Sequence, residues 1–371
     1  MKTAPPPLSA RLRATVLTLL LALAAARLCV WLGTPVPWMI GPLLGTALAG
    51  MAGWRMHSVD ALRNGGQWAI GAALGLYFTP AVTALVLSLW WAVLLGVLWA
   101  LLLGALFGTW LYRGHAAGMG EPPDRMRATS WFAGLVGGAS EMTLLAERAG
   151  ARTDLVAAAH SVRMAVVVLV VPFAMQWAKQ RWQLQALDIT PLGTGSVEWA
   201  GLAGLALLTG LGAWLMRLTG RANPWFIGPM LAAMVVAMTG MQLSAVPTAL
   251  TNAAQLVIGV SLGVRFSSGF LRAAPRWLLS AALGTLGMIV LCALFAWALA
   301  WLADIHPVTL MLATAPGGIT EMAITAKVLQ LGVPVVTAFQ VCRLVAVLLL
   351  AEPLFRWWAA RHGEGQTGTK R

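Results

Sequence analysis

Residues 84–112 contain no charged side chain, and shorter runs of the same character recur along the chain. A helix needs about 20 consecutive apolar residues to cross the ~30 Å hydrocarbon core of a bilayer. Hydrophobic residues make up 59% of the 371 and charged ones only 10%, whereas soluble domains carry about a quarter charged residues. One soluble core could not absorb so much apolar surface. The chain therefore reads as an all-α integral membrane protein. Cys29, Cys292 and Cys342 lie inside apolar runs, which supports neither a disulfide framework nor a zinc site.

The net charge of +13 does not point to nucleic acid. Lysines and arginines form short clusters between apolar segments, as the positive-inside rule expects. No stretch is long enough for a DNA-binding domain, so no nucleic acid is expected as a partner. Arg11 and Arg13 ahead of the run from Thr15 to Trp31 imitate a signal peptide. A matching segment, Gly201 to Arg217, stands ahead of the same motif later in the chain. The first run is therefore read as a retained signal-anchor and first span.

An internal duplication organises the sequence. Pro37-Trp38-Met39-Ile40-Gly41-Pro42 returns as Pro224-Trp225-Phe226-Ile227-Gly228-Pro229. Gln67-Trp68-Ala69-Ile70-Gly71 returns as Gln255-Leu256-Val257-Ile258-Gly259, and Gly137-Gly138-Ala139-Ser140-Glu141-Met142 as Gly317-Gly318-Ile319-Thr320-Glu321-Met322. Each Glu is followed 22 residues later by an arginine in an apolar segment, Arg163 and Arg343. Chance similarity among apolar runs would not preserve the polar residues. The organisation is an N-terminal tail (1–13), repeat 1 (14–183), a linker (184–196), repeat 2 (197–359) and a C-terminal tail (360–371).

Each repeat divides into six apolar segments: 14–32, 37–54, 64–80, 84–112, 128–147 and 154–178, then 197–217, 223–241, 252–270, 276–303, 308–329 and 334–359. The run 84–112 is too short for two crossings and fits one tilted helix. The fifth segment is weak in both repeats. A Gly-Gly pair followed by Ser or Thr and Glu predicts two half-helices meeting at an unwound centre, tolerated only where protein or a water-filled cavity satisfies the backbone. If it doubles back, each repeat crosses five times. With a cytoplasmic start, Lys179, Arg181 and Lys327 are then the only cations outside, a bias of 19 to 3. Full crossing reduces the bias to 14 to 8. The positive-inside rule selects doubling back, both termini in the cytoplasm, and two halves of opposite orientation. Inverted repeats with broken helices are the architecture of many secondary transporters.

Glu141 and Glu321 are the first candidates for the chemistry, because intramembrane carboxylates cost roughly 2.5–3.5 kcal/mol on insertion scales. They would couple transport to a proton or cation, or else serve as stabilising anions at their own half-helices. Arg163 and Arg343 would clamp an anion or neutralise those glutamates, and the repeat predicts equivalent Glu–Arg contacts in both halves. Gly137, Gly138, Gly317 and Gly318 would line a site or permit close packing, while Ser140 and Thr320 would bind solute or cap helices. Pro37, Gly41, Pro42, Pro224, Gly228 and Pro229 predict helix entries followed by a kink or unwinding. Gln67, Asn64, His160 and Gln340 read as interhelical hydrogen-bonding groups.

These duplicated motifs with their trailing arginines resemble the AbrB duplication family of bacterial inner-membrane proteins, over roughly residues 15–358. Its members carry the inherited names ammonia monooxygenase and AbrB family transcriptional regulator. The resemblance implies an inner-membrane location and a link to regulation of gene expression, and it supplies no catalytic residues. A monooxygenase needs a metal or flavin, yet His57, His115, His160, His306 and His362 show no ligand spacing and no dinucleotide fingerprint occurs. Neither enzyme activity nor cofactor nor metal is expected. The leading expectation is a secondary transporter or exporter of a small solute. An indirect membrane-embedded regulator comes second and a membrane oxidoreductase third. The expected partners are the lipid bilayer and a small-molecule solute, with room for a homo-oligomer.

Overall fold

The structure, a computed structural model, describes residues 8–116, 118–185, 187, 197–220, 223–241, 243–267, 269–270 and 274–363. Most of the linker, Arg221, Arg272 and the outermost residues of both tails lie outside that set. Among the described residues all regular structure is helical. The first repeat contributes α1 (Leu8–Trp31), α2 (Pro37–Met51), α3 (Asp60–Gly75), α4 (Pro80–Ser88), α5 (Trp90–His115), α6 (Pro123–Gly134), α7 (Ala139–Arg148) and α8 (Thr153–Arg181). The second contributes α9 (Trp199–Leu218), α10 (Pro224–Met238), α11 (Thr248–Gly263), α12 (Pro275–Ala303), α13 (Pro307–Thr314), α14 (Ile319–Leu329) and α15 (Val333–Gly363).

Six helices (α1, α5, α8, α9, α12 and α15) are long and apolar enough to cross a membrane. Their outward faces carry large apolar side chains: Leu207 is 78% exposed and Trp301 79%. Water would not tolerate such a surface, and lipid tails would cover it. The predicted single helix over 84–112 is instead divided at Leu89 between α4 and α5. Thr79 caps α4 through its side chain, and α3 and α4 meet at 89°. At the ends of the chain, α1 begins before residue 14 and α15 runs past residue 359.

Neither Gly-Pro pair unwinds its helix: Pro42 lies inside α2 and Pro229 inside α10. Pro37 and Pro224 do open their helices, each preceded by a left-handed residue, Val36 (φ 45°) and Asn223 (φ 50°). A residue before proline is pushed out of the right-handed helical region, which makes a sharp entry here. Gly41 and Gly228 serve close packing. A Cβ on Gly41 would fall 2.6 Å from Ala25 O, and one on Gly228 would strike Gly212 O.

The same small-residue logic interlocks the repeats. Gly259 and Gly263 of α11 lie against the backbone of Met39 and Leu43 in α2, and Gly71 and Gly75 of α3 against Phe226 and Met230 in α10. Near the middle, Gly66 of α3 meets Ala254 and Val257 of α11. α1 packs on α2 and α9 on α10, and one continuous apolar core runs from α2, α3, α10 and α11 into the other helices. There Trp99 stacks on Phe295 at 4.7 Å, joining α5 to α12. Trp131 Nε1 donates to Ala351 O and Trp277 Nε1 to Leu155 O.

Candidate functional site

Both duplicated Gly-Gly-x-Ser/Thr-Glu-Met units are helix breaks. α6 ends at Gly134, Leu135 is extended, and α7 restarts after Gly138 (φ −68°, ψ 140°). α13 ends at Thr314, Ala315 is extended, and α14 restarts after Gly318 (φ −78°, ψ 155°). The geometry accounts for the two glycines and for the glutamate and methionine packed against them. A Cβ on Gly137 or Gly317 would collide with Met142 or Met322, and one on Gly138 or Gly318 with the Oε2 of Glu141 or Glu321. Each glutamate stands at the third helical position and folds back against the glycine that precedes its helix. Each carboxylate also accepts from its own backbone N–H, where helix-end dipoles favour an anion.

Breaking a helix leaves carbonyls without their usual partners. In the first repeat Arg163 Nη1 donates to Leu135 O (2.9 Å) and Nη2 to Gly137 O (3.3 Å). In the second, Arg343 Nη1 and Nη2 donate to Ala315 O and Gly317 O, both at 2.6 Å. The residue three positions earlier shares this work. Gln340 Nε2 donates to Leu312 O (2.9 Å), and His160 Nε2 lies 2.9 Å from Phe132 O. Arg163 Nη2 also reaches His160 Nδ1 at 2.6 Å. Arginine only donates, so Nδ1 accepts and Nε2 carries the proton.

The predicted Glu–Arg pairs therefore do not form. A spacing of 22 residues brings each arginine to its break, but the freed carbonyls capture the guanidinium. Ser140 and Thr320 do not cap either, because the capping positions are Gly138 and Gly318.

The two breaks, from different repeats, meet in one cavity of about 470 Å³. Gly137, Gly138, Ser140 and Glu141 line it with Gly317, Gly318, Thr320, Glu321 and Arg343. Arg163 is not among the lining residues; it lies behind the first break. Of the predicted helix-break residues Pro37, Gly41, Pro42, Pro224, Gly228 and Pro229, Pro224 alone reaches the wall, with its motif neighbours Trp225 and Phe226 and the preceding Asn223. The halves differ in access: Glu141 is half-buried, whereas Glu321 is 5% exposed.

Arg63 and Arg265 also line the cavity, with Asn64, Gln67 and Ser261. Arg63 exerts its attraction on Glu141 and Arg265 on Glu321. Both arginines read as loop charges in the sequence, since each stands near the end of an apolar run and neither recurs in the other repeat. No pattern in the chain singles them out.

An all-helical protein with an apolar exterior and two broken helices around a polar hollow belongs to the class of polytopic membrane proteins. The chain matches the family described as "Transition state regulatory protein AbrB" over residues 38–359, and it belongs to the AbrB family. It is 28% identical to "Uncharacterized protein YhjN" of Bacillus subtilis (strain 168) over 353 residues, covering 90% of each chain. It is 25% identical to "Putative regulator AbrB" of Escherichia coli (strain K12) over 332 residues, covering 87% of this chain and 90% of that protein.

Proposed function

We propose that this protein is a secondary transporter or exporter of a small solute across the bacterial inner membrane, coupled to protons through Glu141 and Glu321, and not an enzyme. The carrying observation is the convergence of the two Gly-Gly-x-Ser/Thr-Glu breaks, one from each repeat, on a single cavity. Transporters hold solute and coupling ion at such breaks near the midplane.

The proposal includes an inverted arrangement of five crossings and one doubled-back segment per half, with both termini cytoplasmic. Three contacts support it. The start of α8 returns to the start of α6, where Arg152 Nη1 donates to Glu121 (2.6 Å) and Arg152 N to Thr129 Oγ1 (3.0 Å). In the second repeat Gly332, at the start of α15, lies against Thr309 of α13. Third, the homologous helices α3 and α11 cross antiparallel: Leu62 faces the region of Val257 and Val260 while Gly66 faces Ala254. Ten crossings require α2, α3, α10 and α11 to span as well. At 1.5 Å per residue their 15–16 residues reach about 22–24 Å, so the flanking breaks complete each passage.

The relative named as a regulator supports a second reading, a membrane-embedded regulator that uses the same cavity for sensing without net transport. Proteoliposomes carrying a pH-sensitive dye separate the two. We expect solute-dependent proton flux, reduced at least tenfold in Glu141→Gln and in Glu321→Gln. Normal flux in both folded variants removes the coupling assignment. Solute binding without flux favours the regulator.

A further inference from the structure

Charge in the cavity is unbalanced, with Arg63, Arg265 and Arg343 lining it against Glu141 and Glu321. Arg343 is 5% exposed and committed to the second break, yet its buried Nε has no hydrogen-bond partner. The Nε of Arg63 is likewise buried and unpartnered. Its Nη2 has only a 3.6 Å contact with Asp60, whose side chain is 85% exposed, a pairing of little worth in water. Arg265 makes no hydrogen bond or ion pair among the described residues. Arg63 and Arg265 also repel one another. Two half-buried guanidiniums lining one cavity are stabilised by an anion bound between them.

Apolar side chains (Trp225, Phe226, Ile258, Leu262, Leu144 and Met164) share the rest of the wall with the polar Asn64, Gln67, Asn223 and Ser261. A cavity of about 470 Å³ is far larger than a bare inorganic ion needs, and falls in the range of sites for organic molecules. Guanidinium is a planar fork that matches a carboxylate in bidentate fashion. We infer that the cavity binds a small organic monocarboxylate, its carboxylate clamped by Arg63 and Arg265 and its apolar body against the Trp225–Leu262 wall. This assignment rests on the transport reading for its biological use. The other charged groups nearby are Asp60 beside Arg63, and Arg163 with His160 behind the first break. Ionised Glu321 competes with the ligand for Arg265, and Glu141 does so for Arg63.

The test uses the purified full chain in detergent and follows its thermal unfolding midpoint with benzoate, benzamide, benzylamine or inorganic phosphate. A ligand that binds only the folded state raises that midpoint with concentration. Benzoate is expected to raise it, and benzamide and benzylamine are not. Arg63→Gln and Arg265→Gln are expected to weaken benzoate at least tenfold, and Glu321→Gln to strengthen it several-fold. Arg265→Lys keeps the charge but loses the fork, so it should fold normally and still weaken benzoate. Equal stabilisation by benzamide or benzylamine, stabilisation by phosphate alone, no response to any probe, or unchanged benzoate affinity in the arginine variants overturns the assignment. Benzoate binding without proton-coupled flux removes the transport reading and leaves the site. Proton-coupled flux of a cation without benzoate binding does the reverse.

Discussion

Arg163 and Arg343 show how one side chain can hold a break open inside an apolar environment. A carbonyl at the end of a broken helix has no water to turn to, and a guanidinium supplies several donors in a fixed plane. Arg343 engages two such carbonyls at 2.6 Å. Its replacement by methionine keeps the stem but leaves Gly317 O unpaired and Ala315 O with only a 3.3 Å bond from Gln340 Nε2. Arg343→Met is expected to destabilise the protein by about 2–4 kcal/mol, read as a lower unfolding midpoint in detergent, with a far smaller effect in Glu141→Gln. An unchanged midpoint in Arg343→Met would refute this role. The residue pattern exposed the arginines and their spacing, and His160 and Gln340 as hydrogen-bonding groups. It misassigned the arginines' partners, because no pattern in the chain displays which carbonyls a broken helix sets free.

Elements tie to one another through small residues and a few polar staples. The best defined staple joins the start of α8 to the segment ahead of α6, where Glu121 accepts from Arg152 (2.6 Å) and Arg125 (3.1 Å). The Arg152 hydrogen bond, first among several causes, holds the Glu121 carboxyl below its ordinary value of 4.5. A lowered carboxyl value stabilises the folded state above the unfolded value and loses that contribution as pH falls through the folded one. The wild type is therefore expected to lose part of its stability as pH falls below about 4.5. Glu121→Gln should begin from a lower midpoint and show a shallower acid limb. Thermal unfolding between about pH 3 and 6 checks this, and superimposable limbs in the two proteins would contradict it. The split of 84–112 into α4 and α5 belongs to this scale too. A hydropathy pattern counts apolar residues and does not register a break at a single leucine, Leu89.

The whole molecule turns on which way the two repeats face. Under the inverted arrangement the ends of α7 and α14 emerge on opposite sides of the membrane. Ala151 is buried, and Gly332 has φ +73° with Thr309 against it, so neither position suits a reporter. Arg148 and Gln330 are exposed. Single cysteines there, in a chain with Cys342→Ala because Cys342 is itself exposed, test orientation with a membrane-impermeant thiol reagent on intact cells. Gln330→Cys is expected to react from outside, and Arg148→Cys only after the membrane is opened. Labelling of both from the same side would end the inverted arrangement and, with it, the alternating-access account.

The chain by itself determined that this is a membrane protein, that it is duplicated, and that each copy breaks at Gly-Gly beside a glutamate. Each follows from local composition: apolar length, repeated polar letters and the poor helix propensity of paired glycines. Only the tertiary structure decided that the two breaks share one cavity, that the trailing arginines serve carbonyls instead of glutamates, and that Arg63 and Arg265 face the acids. Those outcomes depend on long-range packing, in which α3 lies on α10 and α11 on α2 through bare glycine faces. A charge at the end of a helix looks the same in sequence whether it meets water, lipid headgroups or a hollow between two repeats.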